Sequence, residues 1–225
     1  MAEHPKEVAE ITQTADALLV NLGNITDARM ESILISAKTA RSKGIPMILD
    51  AVGVACSTLR SSFTRKLLET AVPTVVKGNY SEILALYNDA YRSSGVDVDR
   101  SLDAPVLERT AVALSRKLGT TILASGKEDL ITDGKKLVKV CNGTPMLSSV
   151  TGTGCMLGTL CAGYLTAADG LDASVAACSV LGICGQLAQT DQGTGTFMVN
   201  LMDALSCLSD TQIETMIKLE VLEIA

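Results

Sequence analysis

The chain has 225 residues, 47% of them apolar, with two Phe and no Trp, so its core must be built from Leu, Ile, Val, Ala and Met. A formal net charge of −6 argues against nucleic acid or an anionic membrane surface as partner, though a nucleotide, which needs only local donors, remains open. No run of about 18 or more apolar residues appears, so no membrane span is expected; the first ten residues lack a signal-peptide core, and seven cysteines without a CxxC pair suit a reducing cytoplasm. The single histidine, His4, nearly excludes a His-based triad or a multi-His metal site.

Strand-like and helical runs alternate along the first half of the chain. Residues 17–22 read as a buried strand, and Thr26 or Asp27 opens a helix to about Lys43 with Gly44 as its stop. A strand at 46–50, a helix at 58–70 and a strand at 74–77 follow; Asn79 caps a helix through about Tyr87. Residues 87–103 are polar and read as a surface loop, because Asp97 and Asp99 are too few ligands for a calcium loop. A helix at 104–118 and a strand at 121–125 complete the alternation. Short strands at 129–132 and 135–140 then meet at Asp133-Gly134, a hairpin signal. From Gly154 onward the pattern reads as helices at about 155–168, 172–190, 199–207 and 210–222, interrupted at Gly193-Thr194-Gly195-Thr196. Cys161, Cys178, Cys184 and Cys207 fall in these apolar runs and read as small hydrophobes. The whole, 1–225, reads as one α/β domain with a mostly parallel sheet, an antiparallel edge and helices on both faces.

In open α/β sheets, ligands bind beyond the C-terminal strand ends. Polar groups or glycine stand at four such ends: Asn21-Leu22-Gly23-Asn24, Asp50-Ala51-Val52-Gly53, Lys77-Gly78-Asn79 with Glu82 one turn on, and Ser125-Gly126. The glycine-rich stretch Thr151-Gly152-Thr153-Gly154-Cys155 precedes an apolar helix, and the backbone N–H groups at such a helix mouth make an anion site. Asp50 and Glu82 are carboxylates suited to Mg²⁺, which takes one or two carboxylates plus phosphate oxygens and water. Lys77 is a cation placed to meet a nucleotide phosphate. Read singly, Asp50 is equally a cap for the following turn, Glu82 a solvated first-turn acid and Lys77 an exposed strand end; the anion-binding turn favours the functional reading of the set.

These segments, in this order and spacing, together with Gly193-Thr194-Gly195-Thr196-Phe197, resemble the hydroxyethylthiazole kinases of the ribokinase-like superfamily. The resemblance covers essentially the whole chain. Cys155 makes it specific, because most ribokinase-like kinases carry Asp after the GxG turn as the base for the substrate hydroxyl. The resemblance implies a ribokinase-like three-layer α/β/α fold and phosphorylation by ATP, with Mg²⁺, of the primary hydroxyl of 4-methyl-5-(2-hydroxyethyl)thiazole in thiamine salvage. It implies a homotrimer with active sites between subunits. Carried over by position, Cys155 lies near the substrate hydroxyl and Gly152 against the thiazole. Lys77, Asn79, Ser125 and Gly154 take nucleotide positions, and Asp50 and Glu82 the metal positions.

Three departures stand out. Ala51 replaces the Pro usual after the first acid, which loosens a turn without removing a reactive group. Lys77 stands where Arg is usual, which keeps the charge but loses bidentate phosphate binding and implies weaker ATP affinity. Met1-Ala2-Glu3 aligns with the end of a family segment resembling Gly-Ala-Ser-Pro-x-Met-Ala, so Met1 falls on a substrate-contacting methionine and the family's preceding strand is expected to be missing. Two rival readings follow. One is a ribokinase-like repair dehydratase of hydrated nicotinamide nucleotides, against which Cys155 counts; the other is a catalytically silent binding subunit.

Overall fold

The structure, a computed structural model, describes residues 3–88, 91 and 104–224. Met1 and most of the expected 87–103 loop lie outside the described residues. The elements run α1 (Val8–Gln13), β1 (Leu18–Asn21), α2 (Asp27–Lys43), β2 (Met47–Asp50), α3 (Thr58–Thr70), β3 (Val75–Asn79), α4 (Tyr80–Tyr87), α5 (Ala104–Leu118) and β4 (Thr121–Ser125). They continue as β5 (Asp129–Thr132), β6 (Lys136–Val140), α6 (Pro145–Ser148), α7 (Thr153–Tyr164), α8 (Gly170–Leu187), α9 (Thr194–Cys207), α10 (Asp210–Met216) and β7 (Leu219–Glu223).

All seven strands form one sheet whose spatial order equals the chain order. β1 to β4 are parallel, and β4 to β7 pair antiparallel. Parallel neighbours need crossovers of one hand. With the strands laid down in a single direction, α2 to α5 therefore share one face. The strands alternate accordingly: Val20, Leu49, Val76, Ile122 and Ala124 pack with α2 to α5. Ile48, Val75, Leu123, Ile131 and Val140 face α7, α8 and α9. This is the expected three-layer arrangement, and near-continuous apolar strands are what a sheet covered on both faces requires.

Local signals set most helix ends. Thr26, Ser57, Asn79, Thr144, Asp169 and Ser209 each accept a backbone N–H at a helix start, and Gly44 closes α2 at φ 69°. Long-range packing decides the rest. Residues 219–222, expected to be helical, belong to β7, because Leu222 and Val221 extend the sheet beside Leu137 and Val138. The helical run is interrupted between Leu187 and Thr194 as expected, but only Gly193 of the expected stretch lies in the break; at φ 104° it opens α9, Thr194–Thr196 are its first turn, and Phe197 then plugs the core. Cys207 is exposed, unlike Cys161, Cys178 and Cys184. By length and composition α8 would span a membrane, but 67% of it is buried inside the fold. It is the core helix between α7, α9 and the sheet.

Candidate active site

Parallel register places Asn21 beside Asp50, and Asp50 beside Lys77, at the C-terminal ends of β1, β2 and β3. By strand alternation all three side chains stand on the α7 face. Asp50 is fully buried and Lys77 4% exposed. A charge so placed needs a partner, and Lys77 Nζ donates to Asp50 Oδ1 at 2.9 Å. Asn21 Nδ2 donates to Asp50 Oδ2 at 2.9 Å and to Cys155 Sγ at 3.2 Å. Burial pushes the Asp50 carboxyl above the usual range, while the Lys77 charge and the Lys77 and Asn21 hydrogen bonds pull against it.

The first turn of α7 lies over this row, and its glycines make the approach possible. A Cβ at Gly158 would stand 3.3 Å from Leu19 Cδ1 and 3.7 Å from Asp50 Oδ2, and one at Gly154 would stand 3.5 Å from Lys77 Nζ. The two glycines are four residues apart and so share the face turned to the sheet. Gly152, at φ 103°, is the N-cap of α7 and offers no side chain to its N–H groups. Thr153 turns its hydroxyl backward, to the carbonyls of Leu147 and Val150, and so braces the turn. The open helix end, with exposed Cys155 in its first turn, is electropositive.

Glu82 is buried rather than solvated. Its Oε1 accepts the Gly53 N–H and its Oε2 the Asn79 N–H, both at 2.7 Å, while Asn79 Oδ1 accepts the Glu82 N–H at 2.9 Å. This capping box ties the β2 and β3 loops together. Burial raises the Glu82 carboxyl, opposed first by the Gly53 and Asn79 N–H groups. Ser125 pairs in register with Asn79, and its hydroxyl donates to Gly78 O at 3.4 Å. The following turn is held from two sides: Asp129 Oδ1 accepts the Gly126 N–H at 3.0 Å, and the Tyr80 ring fills the space a side chain at 126 would occupy. The Tyr80 hydroxyl donates to Glu128 O.

Asp50, Lys77, Gly154 and Cys155 thus converge, with Asn79, Glu82 and Ser125 on the adjoining loops; Gly152 opens the helix above. Two residues that the strand ends did not assign complete the frame. Asn21 stood in the polar end of β1 without a role. Arg60 carried no local signal at all, yet its guanidinium donates to the carbonyls of Leu22, Val52 and Gly23 and so clamps the β1 and β2 loops. The clefts lined by Arg109 and Leu137 and by Leu187 and Asp203 lie elsewhere, and neither touches these strand ends.

Residues 1–211 match the profile of the hydroxyethylthiazole kinase family. The chain is 43% identical over 217 residues to "Hydroxyethylthiazole kinase 2" of Clostridium botulinum strain Hall, covering 93% of this chain and 81% of that protein. It is 38% identical over 229 residues to "Hydroxyethylthiazole kinase" of Staphylococcus aureus strain JH9, covering 99% and 86%. Among solved structures, the hydroxyethylthiazole kinase protein of Pyrococcus horikoshii OT3 superposes with a TM-score of 0.90 at 28% identity, over 99% of this chain and 84% of that one. The pyridoxal kinase of Staphylococcus aureus in complex with ADP shares the fold, with a TM-score of 0.67 at 17% identity over 97% and 77% of the two chains. Profile, relatives and fold agree over nearly the whole length, and the chain belongs to the hydroxyethylthiazole kinase family.

Proposed function

We propose that this protein phosphorylates the primary hydroxyl of 4-methyl-5-(2-hydroxyethyl)thiazole with ATP, in thiamine salvage. The observation that carries the reading is Cys155 in the uncapped first turn of α7, joined through Asn21 to the Asp50–Lys77 pair. Phosphoryl transfer asks mainly for positioning and charge stabilisation. The N–H groups of the α7 mouth receive the transferring phosphate, and Cys155 takes the proton of the acceptor hydroxyl. Lys77 stabilises phosphate charge, Asn79, Ser125 and Gly154 border the nucleotide, and Gly152 borders the thiazole.

Magnesium, when bound with the nucleotide, would supply charge that neutralises the phosphates. Among the described residues no three His, Cys, Asp or Glu side chains cluster as a metal cage. Asp50 and Glu82, whose oxygens already accept from Lys77, Asn21, Gly53 and Asn79, would hold a nucleotide-borne cation through water rather than directly. A cytoplasmic homotrimer with active sites between subunits completes the proposal. Support for assembly comes from Val199 and Met202, exposed apolar side chains three apart on α9.

The test is turnover. Purified protein, ATP, Mg²⁺ and the thiazole alcohol should yield the phosphate monoester by mass spectrometry, with ADP in equal amount. Nucleotide binding by calorimetry without ester would make the chain a binding subunit instead.

A further inference from the structure

Asn21 spends both of its amide donors and one acceptor lone pair. Its Oδ1 accepts the Gly23 N–H at 2.7 Å, which fixes the amide orientation and leaves Nδ2 facing the site. The two Nδ2 hydrogens then go to Asp50 Oδ2 at 2.9 Å and to Cys155 Sγ at 3.2 Å. Gly23 is itself held, since Arg60 donates to its carbonyl at 3.2 Å. A rigid strand end thereby grips a sulfur that sits on a different element, 134 residues later in the chain. An N–H aimed at sulfur requires the sulfur to turn a lone pair toward β1. A side chain with one soft torsion is fixed in direction by one such contact.

We propose that Asn21 is the positioning residue for Cys155: its amide aims the sulfur toward the acceptor hydroxyl and couples it to the Asp50–Lys77 pair. The role of Cys155 in this statement rests on the kinase reading; the grip of Asn21 on the sulfur does not. Asn21 touches neither substrate nor nucleotide in the proposal, and it acts through Cys155.

Two variants separate this role from a merely structural one. Asn21→Ala removes every contact. Asn21→Asp keeps an acceptor for the Gly23 N–H and loses both donors. Two readouts are taken on each, after a melting curve establishes that it is folded. The first is steady-state kinetics: kcat should fall about tenfold or more while the KM for ATP stays within about twofold. The second needs no substrate. Carbamidomethylation by iodoacetamide is followed by peptide mass spectrometry, with exposed Cys56, Cys141 and Cys207 as internal references. The rate at Cys155 relative to those three should change at least about threefold in both variants, a smaller effect than the full loss of a charge-assisted hydrogen bond. An unchanged ratio in a folded Asn21→Ala or Asn21→Asp protein overturns the proposal. A changed ratio in a protein that never forms the phosphate ester would leave the grip of Asn21 standing and sink the kinase reading alone.

Discussion

Lys77 and Asp50 form a 2.9 Å ion pair between neighbouring parallel strands, roofed by the first turn of α7. Lys77 is therefore no exposed strand end; it reaches the site as half of a buried pair. Removing one partner of such a pair leaves an uncompensated charge, at a cost of about 3–5 kcal/mol. Lys77→Ala should lower unfolding free energy in urea by about that amount, and adding Asn in place of Asp50 should restore much of it. Equal losses in the single and double variants would mean that the pair contributes nothing to folding.

Cys155→Ala should lower kcat by about 10²–10⁴, the usual worth of a positioned general base, and leave ATP affinity within about twofold. Cys155→Asp should retain activity, since a carboxylate at the same helix position can accept the same proton. Parent-like turnover in the Ala variant removes Cys155 from the reaction.

The turn after β4 has room for glycine only. Gly126→Ala would force a methyl into the Tyr80 ring and should destabilise by about 1–3 kcal/mol. In a Tyr80→Ala background Gly126→Ala should be nearly free, because the two sites share one volume. Strict additivity in a double-mutant cycle would show that the ring does not press on this turn.

Asp129 sets a pH dependence. Burial pushes its carboxyl from 3.8 up to about 6, against the Gly126 N–H, the Cys178 thiol and the Lys77 charge. The folded carboxyl holds its proton more tightly than the unfolded one. Its contribution to stability is therefore complete below about pH 4 and is lost as pH rises through about 6. Asp129→Asn, which keeps an acceptor for Gly126, should gain on the parent in melting temperature between pH 4 and 7. The gain should be on the order of 2–4 °C for each kcal/mol recovered. A temperature gap that is flat or shrinks across that window would contradict the raised carboxyl.

Packing of α7 against the sheet depends on a missing side chain. Gly158→Val would press on Leu19 and Asp50, where a single Cβ already comes within 3.3 Å of Leu19, and should cost about 1–3 kcal/mol. Urea titration gives the loss, and a variant as stable as the parent would mean that α7 can shift without penalty.

Much of this arrangement is legible in the chain itself. Buried strands announce themselves as apolar runs, and helix starts as Thr26 and Asn79, because these signals act within a few residues. The polar strand ends Asp50, Lys77 and Ser125 and the turn before Cys155 are equally local, so the site could be sketched from spacing. Short-range pattern fails where a segment is decided by what lies beside it. Residues 219–222 carry a pattern read as helix, but the open edge of β6 offers Leu137 and Val138 as neighbours, and pairing with them wins.

What the amino-acid sequence by itself determined is the menu of groups: an acid, a lysine, a glycine-opened helix and a cysteine, in an order that a parallel sheet brings to one edge. Tertiary structure alone decided how those groups are spent. Register puts Asn21, Asp50 and Lys77 side by side, burial forces the lysine and the acid to pair, and the Gly23 N–H turns the Asn21 amide toward Cys155. Glu82 and Arg60 are drawn into bracing loops for the same reason: backbone donors and carbonyls removed from water must find partners, and only the folded chain places those partners within reach.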